Sequence, residues 1–389
     1  MQRDLPPLGT VLTGLVVAVV GFFSSFPIVL QGLAGVGATA EQAASGMMFA
    51  AIATGVTGIA LSLFYRLPIS VAWSTPGAAL LAVAEPGAFT FTEAVGAFAL
   101  AGALTALAGF WKPLGRLATS IPGPLAHAMV AGILVMLCAQ PFVAMAETPW
   151  TAVPIVAAWF VAGRVNKLFA APAAVAAAIV VTLIASQGQV GLPEPLISIP
   201  APITPVFSWS ALLGIGLPLF IVTMATQNVP GFSILRSFGF NPPPGPPLVG
   251  VGVASIATAP FGAPATCMAA ITAAMCANPD SHPDPKLRYW SVVMAGVFYL
   301  IFGLFAGVIA FIAAQTPPMV LETVTGVALM GVFANSATAA LEDSEYREAS
   351  GVAILTTVSG ISVLGLNAAV LGLILGAGVL AVTRWQEGR

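Results

Sequence analysis

The fold follows from one stretch, Pro68-Ile-Ser-Val-Ala-Trp-Ser-Thr-Pro-Gly-Ala-Ala-Leu-Leu-Ala-Val-Ala-Glu85. Its β-favouring start leads to Trp73-Ser74-Thr75-Pro76-Gly77, and the apolar run behind has about ten residues, roughly half of what a helix needs to span a bilayer. The pattern predicts a short strand followed by a half-helix. A second copy, from Ile256 to Cys276 with Pro264 inside it, lies in the other half of the chain. Two interrupted apolar segments at corresponding places are typical of a transporter's binding site.

The composition predicts an integral, multi-pass protein of the lipid bilayer. Hydrophobic residues make up 58% of the chain, charged residues 7%, and the mean hydropathy is +1.00. A soluble globule needs more polar surface than this. The net charge of −2 gives no reason to expect a nucleic-acid partner. Met1–Pro7 leads directly into a full-length span, so no cleavable signal peptide is expected. The cysteines, Cys138, Cys267 and Cys276, lie in apolar runs and are expected to be buried free thiols.

Apolar runs bounded by proline, glycine and charge predict about fourteen transmembrane elements in an all-α protein, with strand/half-helix elements at the third and tenth places. The predicted elements lie near residues 9–35, 42–64, 68–85, 92–111, 121–140, 150–163, 168–186, 208–235, 247–260, 264–277, 288–314, 318–336, 349–366 and 368–384.

The distribution of charge supports this count. If the N-terminus is cytoplasmic, all 12 Lys and Arg residues fall in inside loops, and the outside loops carry only acidic residues or no charge. One wrong or missing element would move every later basic residue to the opposite side. We therefore expect both termini to be cytoplasmic.

The outside connection 188–208 is rich in proline and lacks Lys and Arg, which predicts a periplasmic linker between two repeats, 1–187 and 209–389. Each repeat has seven elements, so the second enters from the opposite face and the repeat is inverted. Three pairs of short matches support the division: Ser25-Phe26-Pro27 with Asn228-Val229-Pro230, Thr75-Pro76-Gly77-Ala78 with Ala263-Pro264-Ala265-Thr266, and Pro124 and Gly132 with Pro318 and Gly326.

An inverted repeat brings the N-termini of both half-helices together near the midplane. Unpaired backbone N–H groups and the positive ends of two macrodipoles form an anion site that needs no buried Lys or Arg. The hydroxyls of Ser74, Thr75 and Thr266 are candidate ligands, and Gly77 lies at the same break. The alternative is that the prolines only kink packed helices.

Polar residues of the first and eighth elements are further candidates for the substrate site. Gln227 and Asn228 can donate to a carboxylate, or they can form structural hydrogen bonds between helices. Ser24, Ser25 and Gln31 present the matching surface on the first element. Trp73, Phe26 and Phe261 could line a pocket for an aromatic ring, although aromatic residues are also common in membrane protein cores.

Two titratable residues fall inside predicted spans, Glu322 and His127, each shortly after one of the paired prolines. Intramembrane titratable groups are candidates for carrying protons, and the alternative is a hydrogen bond between helices.

No nucleotide-binding motif, metal-ligand set or nucleophile–base pair is present, so we expect no cofactor, no metal and no enzymatic activity.

Three motifs resemble the BenE-type benzoate/proton symporters: Ser24-Ser-Phe-Pro27, Trp73-Ser-Thr-Pro-Gly-Ala78 and, most specifically, Ala225-Thr-Gln-Asn-Val-Pro-Gly231. The resemblance covers essentially the whole chain and extends to the uracil permease-like nucleobase/ascorbate transporters. It implies a core domain at about 9–111 and 208–314 and a gate domain at about 121–186 and 318–384, with the substrate between the two strand/half-helix elements.

The resemblance also implies a pocket formed by Ser24, Ser25, Trp73, Ser74, Thr75, Gln227, Asn228, Ala265 and Thr266. Uracil permease-like proteins carry acidic residues in their eighth and tenth elements, whereas this chain has Gln227 and no acid in the tenth. A nucleobase needs acceptors for its N–H groups, whereas a benzoate needs donors. The departure agrees with an anionic ligand and leaves the proton site unassigned.

We therefore expect proton-coupled uptake of benzoate or a similar small aromatic carboxylate, by alternating access of core against gate, in a bacterial inner membrane. The alternatives are another small anion or a nucleobase on the same fold, or an anion channel. The resemblance makes a homodimer possible.

Overall fold

The computed structural model describes residues 6–85, 87–188, 191, 196–363 and 366–387. Within these ranges nine helices are long and apolar enough to cross a membrane. Shorter apolar helices cover Pro149–Val165, Gly245–Phe261 and Ala306–Gln315. The chain is therefore a mostly helical, multi-pass membrane protein. The predicted termini and part of the predicted linker, at 189–190 and 192–195, lie outside the described residues.

In the first half the helices are α1 (Leu8–Phe23), α2 (Phe26–Gly35), α3 (Ala40–Tyr65), α4 (Thr75–Ala82), α5 (Phe91–Phe110), α6 (Lys112–Ser120), α7 (Gly123–Glu147), α8 (Pro149–Val165) and α9 (Ala170–Ala185). Strand β1 (Val71–Trp73) lies directly before α4. α1 and α2 form one apolar segment that is broken at Ser24 and Ser25.

In the second half the helices are α10 (Trp209–Ser237), α11 (Gly245–Thr258), α12 (Ala270–Ala277), α13 (Tyr289–Leu304), α14 (Ala306–Gln315), α15 (Pro318–Leu341), α16 (Arg347–Val358) and α17 (Ala368–Glu387). Strand β2 (Thr266–Met268) lies before α12. Two π-helical turns interrupt α10, at Leu212–Gly216 and Met224–Asn228.

Local sequence explains where several helices begin. Thr39 and Gln42 form a capping box at the start of α3, and Thr90 and Glu93 form another at the start of α5. Each box satisfies two backbone N–H groups that a helix leaves without partners at its first turn. Pro318 lies in the first turn of α15, where its missing N–H costs nothing.

The strand and half-helix predicted around Trp73 are confirmed, and the second copy also contains a strand and a half-helix, but its half-helix begins later than predicted. Pro264 precedes the strand, Ala265 and Thr266 belong to the extended segment, and the half-helix starts only at Ala270. The prediction treated Pro264 as the counterpart of Pro76, which lies in the first turn of α4. Thr266 is of a type enriched in strands, and a proline is tolerated just before a strand.

Two other boundaries differ from the prediction. The connection after α5 contains an additional short helix, α6, with Lys112 at its start. The element predicted over 349–366 forms a helix only to Val358. Gly360 follows in the left-handed region at φ 67°, a conformation that ends helices.

The helices pack in two sets. In the first set α3 and α1 pack against α13, α5 packs against α11, and α2 packs against α4. In the second set α7 packs along α15 and α16, α16 packs against α17, and α8 packs against α9. A small cluster of buried residues lies wholly within the second set: Leu125, Ala128, Ala340, Ala349, Ala353 and Leu380. The sets meet where α4 and the π-helical turn Met224–Asn228 contact α7 and where α2 contacts α15.

Candidate functional site

The two strands form an antiparallel pair, with Val71 opposite Met268 and Trp73 opposite Thr266. The ladder continues at both ends: Ser74 N–H donates to Ala265 O at 2.9 Å, and Ala269 N–H donates to Ser70 O at 3.1 Å. The two strands run in opposite directions, and each is followed by its half-helix. α4 and α12 therefore begin at opposite ends of this ladder and run in opposite directions. Both half-helix N-termini therefore flank one short strand pair.

The N-terminus of α4 is largely satisfied by its own residues. Ser74 Oγ accepts from the Gly77 N–H at 3.1 Å and from Thr223 Oγ1 of α10 at 2.8 Å. Pro76 has no N–H, and the Ala78 N–H donates to Ser74 O at 2.8 Å. Within the described residues, Thr75 is left as the unpaired N–H donor of this first turn. Ser74 therefore acts as a helix cap, and Gly77 is part of that cap.

The N-terminus of α12 is open. Ala269 at its N-cap offers no side-chain acceptor, and the first helical hydrogen bond runs from Ala273 N–H to Ala269 O at 3.1 Å. The N–H groups of Ala270, Ile271 and Thr272 therefore have no partner among the described residues. The Ile271 side chain is 62% exposed, whereas Ala269 and Thr272 on either side are buried.

These three N–H groups, at the positive end of a helix dipole, form a candidate anion site. Sequence reasoning missed Ala270–Thr272 because it took Pro264 as the start of the half-helix. Of the strand residues only Thr266 is of a type enriched in strands, so the local sequence carries no clear signal for this later helix start.

Gln227 and Asn228 are adjacent in sequence but differ in their contacts. Asn228 is fully buried; its Oδ1 accepts from the Met268 N–H at 2.9 Å, and its Nδ2 donates to Met224 Sδ at 3.2 Å. Both ends of this amide are engaged within the protein, so Asn228 holds β2 in place. Gln227 is partly exposed and makes no hydrogen bond to a described residue, which leaves its donors free.

Ser25 and Trp73 form the corresponding contact in the first half. Ser25 Oγ donates to Gly21 O at 2.7 Å and accepts from Trp73 Nε1 at 2.9 Å. Trp73 is 2% exposed and meets the rings of Phe22 and Tyr299 edge-on, each at 5.6 Å between centroids. Thus the last residue of each strand donates to a polar residue of the long broken helix in its own half. Trp73 does so through its indole Nε1 to Ser25, and Met268 through its backbone N–H to Asn228.

Several other candidates lie away from the open helix end. Ala265 and Thr266 are buried, with exposed fractions of 3% and 1%. The Thr266 N–H donates to Ser255 Oγ at 2.9 Å, while its own Oγ1 is buried without a partner among the described residues. Phe261 stacks on Phe49 of α3 with centroids 3.9 Å apart, so it serves helix packing.

Ser24 and Gln31 are partly exposed and form no side-chain hydrogen bond within the described chain. Ser24 lies at the break between α1 and α2, and Gln31 lies on α2, the helix that packs against α4. Both remain available to a ligand.

The two titratable candidates lie on a pair of packed helices of the second set. His127 is on α7 and Glu322 is on α15. His127 Nδ1 is buried and has no hydrogen-bond partner among the described residues. Glu322 is partly buried and forms neither an ion pair nor a hydrogen bond within the described chain. Neither residue is used as a structural hydrogen-bonding group there, contrary to the alternative considered from sequence.

An apolar cavity of about 510 Å³, including the open space at its mouth, lies where the two sets meet. Phe23, Phe26 and Pro27 at the α1–α2 break form one wall, and residues of α9, α14 and α15 form the others. No residue of either half-helix lines it. Phe26 therefore faces an apolar space next to the break.

The chain matches known proteins along nearly its full length. Residues 5–382 match the BenE family, described as benzoate membrane transport protein. The chain is 37% identical to the inner membrane protein YdcO of Escherichia coli strain K12 over 375 residues, 96% of this chain and 95% of that protein. It is 28% identical over 372 residues to the benzoate membrane transport protein of Acinetobacter baylyi, covering 95% and 93% of the two chains.

Two solved structures share the fold. The transmembrane domain of a cyanobacterium bicarbonate transporter, BicA, superposes with a TM-score of 0.63 at 16% identity, covering 95% of this chain and 97% of that one. The murine Solute Carrier 26 family member A9 anion transporter, in the inward-facing state, gives a TM-score of 0.66 at 12% identity, covering 99% of this chain and 70% of that one.

Proposed function

Because the chain belongs to the BenE benzoate membrane transport family, we propose that it is a secondary active transporter that takes up benzoate, or a similar small aromatic carboxylate, together with protons. Its location would be a bacterial inner membrane.

The observation that carries the proposal is the open N-terminus of α12. The unpaired N–H groups of Ala270, Ile271 and Thr272 are hydrogen-bond donors, which a carboxylate needs. The Thr75 N–H at the other end of the strand pair and the free amide of Gln227 are further donors. β1, β2 and both half-helices contain no Asp or Glu that would repel an anion. In this arrangement backbone dipoles replace a buried Lys or Arg.

Transport requires the site to open to one side of the membrane at a time. We assign the first packed set of helices to a core domain that carries the site, and the second set to a gate domain. Support comes from the packing of α3, α5, α11 and α13 with one another, apart from the packing of α7 with α15 and α16. The strand pair, anchored through Ser25 and Asn228, would move with the core as one unit.

We further propose that the chain comprises fourteen transmembrane elements in a seven-plus-seven inverted repeat. The antiparallel strand pair supports this symmetry, as do the corresponding places of the Ser25–Trp73 and Asn228–Met268 contacts, whose donors differ in type. The equivalence differs from the predicted one, since Ser74 now corresponds to Ala269 as the N-cap of its half-helix.

Coupling to protons has a physical reason. A membrane potential that is negative inside opposes entry of an anion by about 2.3 kcal/mol per charge per 100 mV. One proton carried with each carboxylate cancels that penalty. Glu322 and His127, which lack hydrogen-bond partners at their titratable atoms in the described chain, are the proposed carriers.

The experiment is uptake of labelled benzoate by proteoliposomes, with and without an inward proton gradient. We expect accumulation only with the gradient. Equal uptake with and without the gradient would refute proton coupling, and absence of uptake would refute benzoate as the substrate. Competition by uracil, sulfate and bicarbonate distinguishes a nucleobase or inorganic anion, and single-channel currents far above transporter turnover would indicate a channel.

A further inference from the structure

Arg288 lies just before α13 and is buried, with 6% of its surface exposed. Its guanidinium group donates three hydrogen bonds to backbone carbonyls. Nη1 donates to Ala277 O at 2.8 Å, Nε donates to His282 O at 2.8 Å, and Nη2 donates to Pro283 O at 3.3 Å. Ala277 is the last residue of α12, the half-helix whose first turn is open.

This buried charge is compensated without a carboxylate. The ion pair found within the described residues joins Arg384 to Glu345, elsewhere in the chain. Burying a guanidinium group is costly unless its donors find acceptors, and here each of its three nitrogens donates to a carbonyl oxygen. Ala277 O also belongs to the negative end of the α12 dipole, where a cation is favourable. Arg288 therefore caps the C-terminus of α12.

A second contact fixes the same turn. Ser291 Oγ donates to Arg288 O at 2.6 Å and lies 3.4 Å from Cys276 O. The end of α12 is thus bound to the start of α13, which packs against α1 and α3. A helix of 8 residues is too short to be stable alone. Its position depends on contacts of this kind.

We propose that Arg288 is a positioning residue for anion binding at the opposite end of α12. The half-helix is about 12 Å long, so Arg288 does not touch the substrate. It holds the C-terminal carbonyls in place, and through the rigid helix it holds the N–H groups of Ala270, Ile271 and Thr272 against the strand pair. This inference rests on the proposed function in one respect, the binding of the benzoate carboxylate by those N–H groups.

Arg347 supplies a matched control. Its Nε donates to Leu341 O at 2.9 Å and its Nη2 donates to Glu342 O at 3.3 Å, at the C-terminus of α15. It makes the same kind of cap on an exposed helix end in the other packed set. Arg347→Gln should therefore lower stability by a similar mechanism without disturbing α12.

The test compares Arg288→Gln, Arg288→Lys and Arg347→Gln in the purified full-length protein. Benzoate affinity is measured by calorimetry, thermal stability by the melting temperature, and α12 by hydrogen–deuterium exchange. We expect Arg288→Gln to raise the benzoate Kd about tenfold, a difference of about 1.4 kcal/mol, and to speed exchange within Ala270–Ala277. Arg288→Lys, which keeps the charge but loses the planar fork, should raise the Kd about threefold. Arg347→Gln should change neither the benzoate Kd nor the exchange within Ala270–Ala277.

Wild-type protein that binds benzoate, with an unchanged Kd in Arg288→Gln, would overturn the positioning role and leave the proposed function intact. Wild-type protein that fails to bind benzoate would refute the proposed substrate. In that case exchange within α12 still decides the inference, since exchange unaffected by Arg288→Gln overturns it and faster exchange confined to α12 supports it. If Arg288→Gln does not fold, Arg288→Lys decides, because an affinity and exchange equal to wild type would contradict the role.

Discussion

At the scale of single residues, neighbouring side chains of α10 have different roles. Asn228 has a structural role, since its Oδ1 accepts from the Met268 N–H, whereas Gln227 has no hydrogen-bond partner among the described residues. A carboxylate ligand needs free hydrogen-bond donors, and the Asn228 amide, whose Nδ2 already donates to Met224 Sδ, does not supply them. The polarity of a residue in a membrane span is therefore not enough to assign it to the substrate, because the strand pair needs its own polar anchors.

Asn228→Ala should destabilise the protein, while Gln227→Ala should weaken binding alone. Removal of the Asn228 amide leaves the buried Met268 N–H without a partner, which costs about 1–3 kcal/mol, and the melting temperature should fall by several degrees. Gln227→Ala should raise the benzoate Kd several-fold at an unchanged melting temperature. Both quantities are measured on purified protein, alongside Gln31→Ala, which should raise the benzoate Kd less than Gln227→Ala does. Equal loss of melting temperature in the Gln227 and Asn228 variants would contradict this division.

Glu322→Gln should abolish benzoate accumulation driven by a proton gradient while exchange of labelled for unlabelled benzoate continues. The amide has nearly the shape of the carboxyl but cannot release a proton. Accumulation and exchange are measured on the same proteoliposomes, with His127→Gln alongside. Unchanged accumulation in the Glu322 variant, with loss in the His127 variant, would transfer the proton-carrying role to His127.

At the scale of elements, close helix packing inside the first set depends on glycine. Gly252 of α11 faces Ala106 of α5, and a Cβ at Gly252 would collide with the Ala106 backbone. Helices α5 and α11 must therefore move apart if a side chain is added at Gly252. Because α11 packs against β2, and Ser255 Oγ of α11 accepts from the Thr266 N–H, a shift of α11 is transmitted to the strand pair.

Gly252→Val should lower the melting temperature by several degrees and reduce benzoate uptake, since overpacking a close contact typically costs about 1–3 kcal/mol. Gly351→Ala is the control, because no atom lies within 4 Å of a Cβ added there. Thermal unfolding in detergent and uptake in proteoliposomes are the measurements. A Gly252 variant as stable as the control would show that the α5–α11 contact is more adaptable than the structure indicates.

The elements also show what the sequence could and could not predict. Hydropathy located the spanning helices because apolar length is a direct requirement of the bilayer. The strand and half-helix at Trp73 were predictable because Ser74 and Pro76 are local signals for a helix start. The start of α12 was not, since Ala269 and Ala270 carry no such signal and Pro264 gave a misleading one. The role of Asn228 depends on a contact with Met268, forty residues away in the chain, which periodicity cannot reveal.

At the scale of the whole molecule, the distribution of charge predicts an orientation that can be measured. Basic residues concentrate in alternate connections, and both termini are expected in the cytoplasm. The native cysteines should react little with a thiol label, because Cys138, Cys267 and Cys276 are all buried free thiols. A single exposed cysteine can therefore report which side of the membrane its connection occupies.

Glu147→Cys and Ser344→Cys place exposed thiols in connections predicted to lie on opposite sides, after α7 and after α15 respectively. A membrane-impermeant maleimide added to intact spheroplasts should label the thiol at position 147 and not the one at position 344, and disruption of the membrane should expose both. The unsubstituted protein should remain unlabelled throughout. Between these two sites the proposed topology requires an odd number of crossings. There are seven from α8 to α15, with β2 and α12 counted together as one crossing and α13 and α14 counted together as another. Labelling of both thiols in intact spheroplasts would place them on the same side, and the inverted repeat, which needs the two half-helices to run in opposite senses through the membrane, could not then hold.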